Sequence, residues 1–457
     1  MFTPKVQSPV AVNLDSIGSS VIRGCPGVIR SLPRIQTKLE VRSTLPGKSF
    51  KLRYISLELR TVQKVGVPSK LGSNDASRDY KIYEIPTLYR PPMAQTYQDI
   101  IGLDIPILIP LPKDIISSGV FPNYNAYTIH RLVIKVSIGD SIENEINYVF
   151  QFPIPIIIYD SLPLYGQFNK PVLQTLSTSD HQVWVETSLP ISSLGPRDSF
   201  TLNVKLITNY LNNSLKRNIK LSKLTLQIHE ILECYDGGLP NKSTKIFSTS
   251  ETFGEDGHNP NNTITTEGFN YQFKCKFPYY NDYLRLYANK VETKGGRKFQ
   301  YAEDIQQQAE ENQEFDENGQ RIKLNVNKVI LTNSFIKDGK IEPGIPLTHT
   351  QGFTTRGKFF SIRYEIHLKV KIINAKDLEF SIPLTVCPFD RISSDYLLQW
   401  ITDECKQTNL HFGPDIPNLV YHAANYNEMV DIFQQFIDPP KTYKNSKIDW
   451  IKLGYNI

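Results

Sequence analysis

The chain is poor in the residues and patterns that announce chemistry. Its five cysteines (Cys25, Cys234, Cys275, Cys387, Cys405) are odd in number, far apart and never spaced as CxxC. That excludes a disulfide framework and argues against a zinc site. There is no GxSxG elbow, no P-loop, no HExxH, no GxGxxG after a strand and no EF-hand spacing. "GEDGHN" has acidic residues, but not at the alternating positions of a calcium loop. The eight histidines are scattered. A non-enzymatic protein without a cofactor is therefore expected. The longest apolar runs, "IPILIPLP" and "FPIPIII", fall far short of the ~20 residues of a spanning helix. The first residues show no basic-then-apolar signal pattern, which predicts a cytoplasmic location and makes the sequons at Asn212, Asn241 and Asn261 chance matches.

What is present is β structure. The 457 residues include 30 prolines, 24 tyrosines and 23 phenylalanines, but only three methionines. That balance favours short segments and turns, and the length suggests more than one domain. In "KFFSIRYEIHLKVKI" (358–372), Phe360, Ile362, Tyr364, Ile366, Leu368, Val370 and Ile372 fall on one face. Arg363, Glu365, His367, Lys369 and Lys371 fall on the other, so His367 reads as a surface strand residue. The same alternation runs through "TKLEVR" (37–42), "SFKLRYISLELRTV" (49–62), "HRLVIKVSI" (130–138), "INYVFQF" (146–152), "FTLNVKL" (200–206), "IKLSKLTLQI" (219–228) and "EFSIPLTV" (379–386). An all-β chain of antiparallel sandwiches follows.

Two breaks divide the pattern. "YDSLPLYGQFNKP" (159–171) reads as a linker. Residues 236–325 read as a polar insert in the second sandwich, although "FNYQFKCKFPYYNDYLRLYA" (269–288) has the character of a return to strand. Its acidic part, "AEDIQQQAEENQEFDENGQ" (302–320), suggests disorder or a solvated helix. After 390 the period becomes helical. Ser393 or Ser394 is the expected N-cap of one amphipathic helix. Asn425 with Glu428 forms a capping box for a second, which Pro439 and Pro440 stop. The helices are expected to dock on the second sandwich, with a partner or a membrane as the alternatives. The organisation is thus an N-terminal segment (1–30), a first sandwich (31–160), a linker (161–171), a second sandwich (172–391) and a helical extension (392–457).

Charge is uneven. Residues 21–70 hold eleven lysines and arginines against Glu40 and Glu58, a balance of +9 in a chain whose net charge is +5. An anionic partner (phospholipid headgroups, acidic peptide or phosphopeptide) and a solvated sheet face are the two readings. Nucleic acid is not expected, since stacking aromatics are not interleaved with the basic residues.

Several stretches resemble the fungal arrestin-related (α-arrestin) proteins. "GLDIPILIPLPKDIISSGVFPNYNAYTIHRLVIKVSI" (102–138) is similar to that family's N-domain, and "VWVETSLPISSLGPRDSFTLNVKLI" (183–207) to the opening of its C-domain. "TTRGKFFSIRYEIHLKVKIINAKDLEFSIPLTVCPFD" (354–390) resembles the closing hairpin, and "DYLLQWI" a short terminal element. "RGCPGV" with "SLPRI" resembles the N-domain entry, where Cys25 is structural, in a Gly/Pro turn. The resemblance implies two arrestin-type sandwiches acting as an adaptor, recruited to the plasma membrane or endosomes. Such an adaptor recognises cytosolic tails of membrane proteins and brings a Nedd4-type ubiquitin ligase for endocytosis. Lys38, Arg42, Lys51 and Arg53 would share one face and take a phosphate or carboxylate. The ligase's WW domains read PPxY, which is missing. "LPLY" (Leu162, Pro163, Leu164, Tyr165) keeps the tyrosine in register and is the candidate motif, an interdomain hinge being its other reading. Two alternatives stand beside ligase recruitment: a scaffold that tethers another partner at a membrane, for example in sporulation, and direct binding of acidic phospholipid.

Overall fold

The computed structural model describes residues 8–15, 21–69, 72–92, 95–154, 156–162, 169–208, 218–235, 239–254, 262–278, 336–337, 340–341, 352–389, 391–436, 441–444 and 447–450. The alternation read from the sequence becomes two consecutive antiparallel β-sandwiches. The first comprises β1 (Val10–Asp15), β2 (Arg34–Ser43), β3 (Phe50–Ser69), β4 (Gly72–Tyr89), β5 (Gly102–Pro110), β6 (Gly119–Phe121), β7 (Ala126–Ile138) and β8 (Ile146–Pro153). One sheet has the order β1-β2-β5, and the facing one β8-β7-β3-β4 with β6 beside β7. Ile35, Leu39 and Val41 from β2, with Ile105 and Ile109 from β5, meet Leu57 and Leu59 of β3 and Ile134 and Val136 of β7. Each is fully buried, worth roughly 1.5–3 kcal/mol per side chain.

The second sandwich comprises β9 (Val172–Ser177), β10 (Val183–Leu189), β11 (Ser199–Thr208), β12 (Lys220–Cys234), β13 (Lys242–Thr252), β14 (Phe269–Lys276), β15 (Phe360–Ile373) and β16 (Leu378–Val386). Its sheets run β9-β10-β11-β14 and β16-β15-β12-β13. The residues of 358–372 assigned inward are all buried, as the alternation predicts.

Two of the expected divisions change, and so does the make-up of the helical extension. Val10–Asp15 of the expected N-terminal segment belongs to the first sandwich, because β1 pairs with β2 along its whole length. The stretch 236–325 is not wholly an insert, since β13 and β14 inside it complete one sheet each, while 302–320 lies outside the described residues. The helical extension holds three helices among the described residues: α1 (Arg391–Phe412), α2 (Ile416–His422) and α3 (Tyr426–Gln434). Ser394 is buried inside α1 and not at its cap. Gly413, with φ +83°, ends that helix by donating its N–H to the Asn409 carbonyl. Asn425 does cap α3: its side chain accepts the Glu428 N–H at 2.9 Å while Glu428 accepts the Ala424 N–H at 2.7 Å.

α2 and α3 pack on the first sandwich, not on the second as expected, while the start of α1 lies at the junction, where Leu397 and Ile401 meet Tyr159, Cys387 and Phe389. Val430 of α3 joins the first core, and Tyr426 stacks edge-on against Tyr83 at 5.4 Å. Beyond α3, β17 (Lys441–Lys444) extends the first sheet by pairing with β5, and β18 (Lys447–Trp450) pairs with β17. Helical periodicity says that a segment has an apolar face; it does not say which sandwich that face will meet.

Candidate functional site

The four cations singled out from the basic block of residues 21–70 separate on folding. "TKLEVR" and "SFKLRY" do not form a hairpin across their Leu-Pro-Gly turn. They become β2 and β3, which lie in opposite sheets, so Lys38 and Arg42 face away from Lys51 and Arg53. The shared anion-binding face is therefore not formed. Each cation has instead found a carboxylate. Lys38 meets Glu40 at 2.8 Å, Arg42 meets Asp104 at 2.5 Å, and Lys51 and Arg53 meet Asp140 and Glu145 at 3.3 Å. Asp104, Asp140 and Glu145 are distant in sequence, so the local excess of +9 overstated the surface charge. Arg34 is buried, donates to the Leu32 carbonyl at 3.0 Å and lies 4.9 Å from the centre of the Phe412 ring. It ties β2 to α1, and burial draws its pKa down to about 10.

The candidate ligase motif fares no better. Leu162 is fully buried in a cluster with Cys25, Tyr159, Cys387 and Phe389, so its side chain is not presented to a WW groove. Pro163 and Tyr165 lie outside the described residues. Cys25 belongs to the same cluster, and burial raises its thiol well above the ordinary range. Its N–H donates to Ser31 Oγ at 2.9 Å. The preceding Gly24 has φ +78°, where a side chain would strike the Ser31 backbone. A protonated, enclosed thiol in a tight turn is a structural residue.

The two sandwiches meet through a junction that sequence reasoning missed. Phe121 of β6 belongs to the second core, 5.0 Å from Phe353 and 5.7 Å from Phe360 between ring centres. Glu230 of β12 is buried there. Its carboxylate accepts from Asn123 Nδ2 at 2.8 Å and from the Tyr364 hydroxyl, and its backbone carbonyl accepts from the Tyr124 hydroxyl at 2.6 Å. Burial raises the Glu230 pKa, and the bonds from Tyr364 and Asn123 oppose that rise. Gln63 makes a second crossing, accepting the Phe359 N–H at 3.1 Å and the Tyr80 hydroxyl at 2.9 Å. One signal was available: period two continued beyond Ile228 places Glu230 inward.

On the outer face of the second sandwich, β12 and β15 place His229 and His367 together. Their rings stack with centres 4.2 Å apart, although neither residue is directly opposite the other in the ladder. His367 Nε2 lies 3.2 Å from Glu365 Oε2, and His229 Nδ1 is 3.0 Å from Ser243 Oγ on β13. Burial first, then His367, Lys245 and Lys369, lowers the His229 pKa, and Glu365 acts in the other direction. Among the described residues, no group of three or more histidine, cysteine, aspartate or glutamate side chains is arranged to hold a metal ion.

The fold is that of a two-sandwich, all-β protein whose sandwiches share an apolar, hydrogen-bonded junction. No family model matches the chain. It is 26% identical over 292 residues to the RHO1 GEF localizing protein 1 of Saccharomyces cerevisiae, covering 53% of this chain and 59% of that protein. The similarity thus spans less than two thirds of the relative's length.

Proposed function

We propose that this chain is a non-catalytic adaptor that holds a signalling protein at a membrane, its partner belonging to the class of Rho exchange factors. The observation that carries this reading is the similarity to a protein named for localising a RHO1 exchange factor. The apolar junction around Phe121 supports it, because such an interface restrains two domains that a bare linker would leave free to move. An adaptor benefits from faces held in fixed relation. The arrestin-type reading of the sandwiches belongs to the same proposal, as does peripheral recruitment to the plasma membrane or endosomes. Among the described residues, no helix is long and apolar enough to cross a membrane.

Ubiquitin-ligase recruitment ranks below localisation because Leu162 is buried. Both readings meet in one experiment. The purified chain is titrated against a yeast Rho1 exchange factor and, separately, against the WW domains of a Nedd4-type ligase. Micromolar or tighter binding to the exchange factor supports the localising role. Binding only to the WW domains, lost in Tyr165→Ala, would replace it with the ligase adaptor.

A further inference from the structure

The outer faces of the two sandwiches differ in how their cations are satisfied. On the first, Lys38, Arg42, Lys51 and Arg53 each have a carboxylate, and Arg60 and Arg131 share Asp79. On the second, Lys223, Lys245 and Lys371 make no ion pair among the described residues. The ladder sets them at two points of one face: Lys223 stands opposite Lys371, and Lys245 opposite His229. Along β15, His367, Lys369 and Lys371 occupy every second position on the outer face. The acids nearest them are already engaged. Glu365 holds His367 and Arg363, and Glu379 of β16 lies 2.9 Å from Lys369.

Alternate residues of an extended chain repeat at about 6.8 Å. A row of cations with that spacing matches a peptide whose every second residue is acidic, carboxylate over cation. A bilayer is a poorer match, because only Lys245 and Lys371 of the set are exposed while His367, Lys369 and Lys223 are half-buried in the sheet. We propose that this face binds an extended acidic peptide laid along β15, its alternate carboxylates over Lys371, over Lys369 in exchange for Glu379 and over His367 in exchange for Glu365, and that protonation of His229 strengthens the binding.

The stacked pair is poised for that coupling. His229 faces Lys245 on β13 and His367, Lys369 and Glu365 on β15. His367 faces Glu365 on its own strand and stands opposite Ser381 on β16 and Gln227 on β12. Cations outnumber acids around His229, which disfavours its protonated form. A bound carboxylate supplies the missing negative charge, so binding and protonation favour each other and affinity rises as pH falls. The inference does not rest on the localising role, since a synthetic peptide suffices to test it.

The probe is a fluorescein-labelled peptide with glutamate at every second position and threonine between, titrated into the full chain by fluorescence anisotropy. The wild type is expected to bind, and to bind roughly tenfold tighter at about pH 5.5 than at about pH 7.5. Lys223→Glu with Lys371→Glu should weaken binding at least roughly tenfold. Lys38→Glu with Lys51→Glu changes net charge equally and should leave it intact. His229→Gln with His367→Gln should keep binding at the higher pH and lose the pH dependence. Circular dichroism melts confirm that each variant is folded. The proposal is overturned if the wild type does not bind, if both lysine pairs weaken binding equally, or if a peptide with its glutamates in one block binds as well. Salt-sensitive sedimentation with anionic vesicles in place of peptide binding would likewise assign the face to a membrane.

Discussion

Among the titratable side chains the sandwiches bury, His130 in the first and Glu230 in the second lie on inward positions of their strands and are satisfied in different ways. His130 on β7 draws both hydrogen bonds from its own sandwich: Nδ1 lies 2.8 Å from Thr61 Oγ1, and Nε2 lies 2.8 Å from the Ile116 carbonyl. Glu230 on β12 depends on Asn123 and Tyr124 from the other sandwich. Both are satisfied, as buried polar groups must be. The first reports on one domain's interior and the second on the union of the two. Their pH signs are opposite as well, because burial disfavours a charged imidazole and a charged carboxylate alike.

Four experiments break or sharpen this contrast. The largest effect is expected from Phe121→Ala, which empties an aromatic site shared by β6 and the second core. A loss of about 3–5 kcal/mol is expected, with calorimetry resolving two transitions where the wild type gives one. A single transition in the variant would mean that Phe121 is not what couples the sandwiches.

The second experiment reads His130. Burial lowers its pKa from 6.5 to about 4, so the unfolded chain binds the proton more readily than the folded one. Its contribution is full above pH 6.5 and is lost as pH falls through 4, about 3 kcal/mol in all. Urea midpoints across that window should fall further in the wild type than in His130→Gln, and parallel curves would refute the assignment.

Glu230 supplies the third. Glu230→Ala leaves Asn123 and Tyr364 without their acceptor and should cost about 2 kcal/mol. Glu230→Gln should instead raise the midpoint at neutral pH. The raised pKa means that the native acid's contribution is present below 4.5 and lost as pH rises. The advantage of the glutamine must therefore vanish in acid, and a gain that persists there would show that charge is not its cause.

The smallest effect belongs to the helical layer. Asn425→Ala removes the cap of α3 and should cost about 1 kcal/mol. Because α3 buries Val430 in the first core, hydrogen exchange should quicken in α3 and β5 while β12 and β15 stay protected. Faster exchange in β12 would place the helices with the second sandwich after all.

Much of this was legible in order. The alternation of 358–372 assigned each side chain of β15 to its face, because a strand's period is local and strict. The same parity carries His130 and Glu230 inward, yet a histidine or glutamate in an apolar row says nothing of its partners. The Asn425–Glu428 box was readable for the same local reason. The basic face was misread because a count over consecutive residues assumes that neighbours in sequence are neighbours in space. β2 and β3 went to opposite sheets, and their counter-charges came from other strands.

The sequence by itself determined the class of the protein: strands by period two, helices by their apolar stripe and caps, and a cysteine placed for shape. These are properties of short segments, set by backbone geometry and the burial of one face. Only the tertiary structure decided which sheets face each other, that α2 and α3 close on the first sandwich and that α1 sits at the junction. It alone brought His229 beside His367 and left Lys223, Lys245 and Lys371 without acids among the described residues. Those outcomes depend on pairing between distant strands, where many registers satisfy the same local pattern and the packing of the whole core selects one.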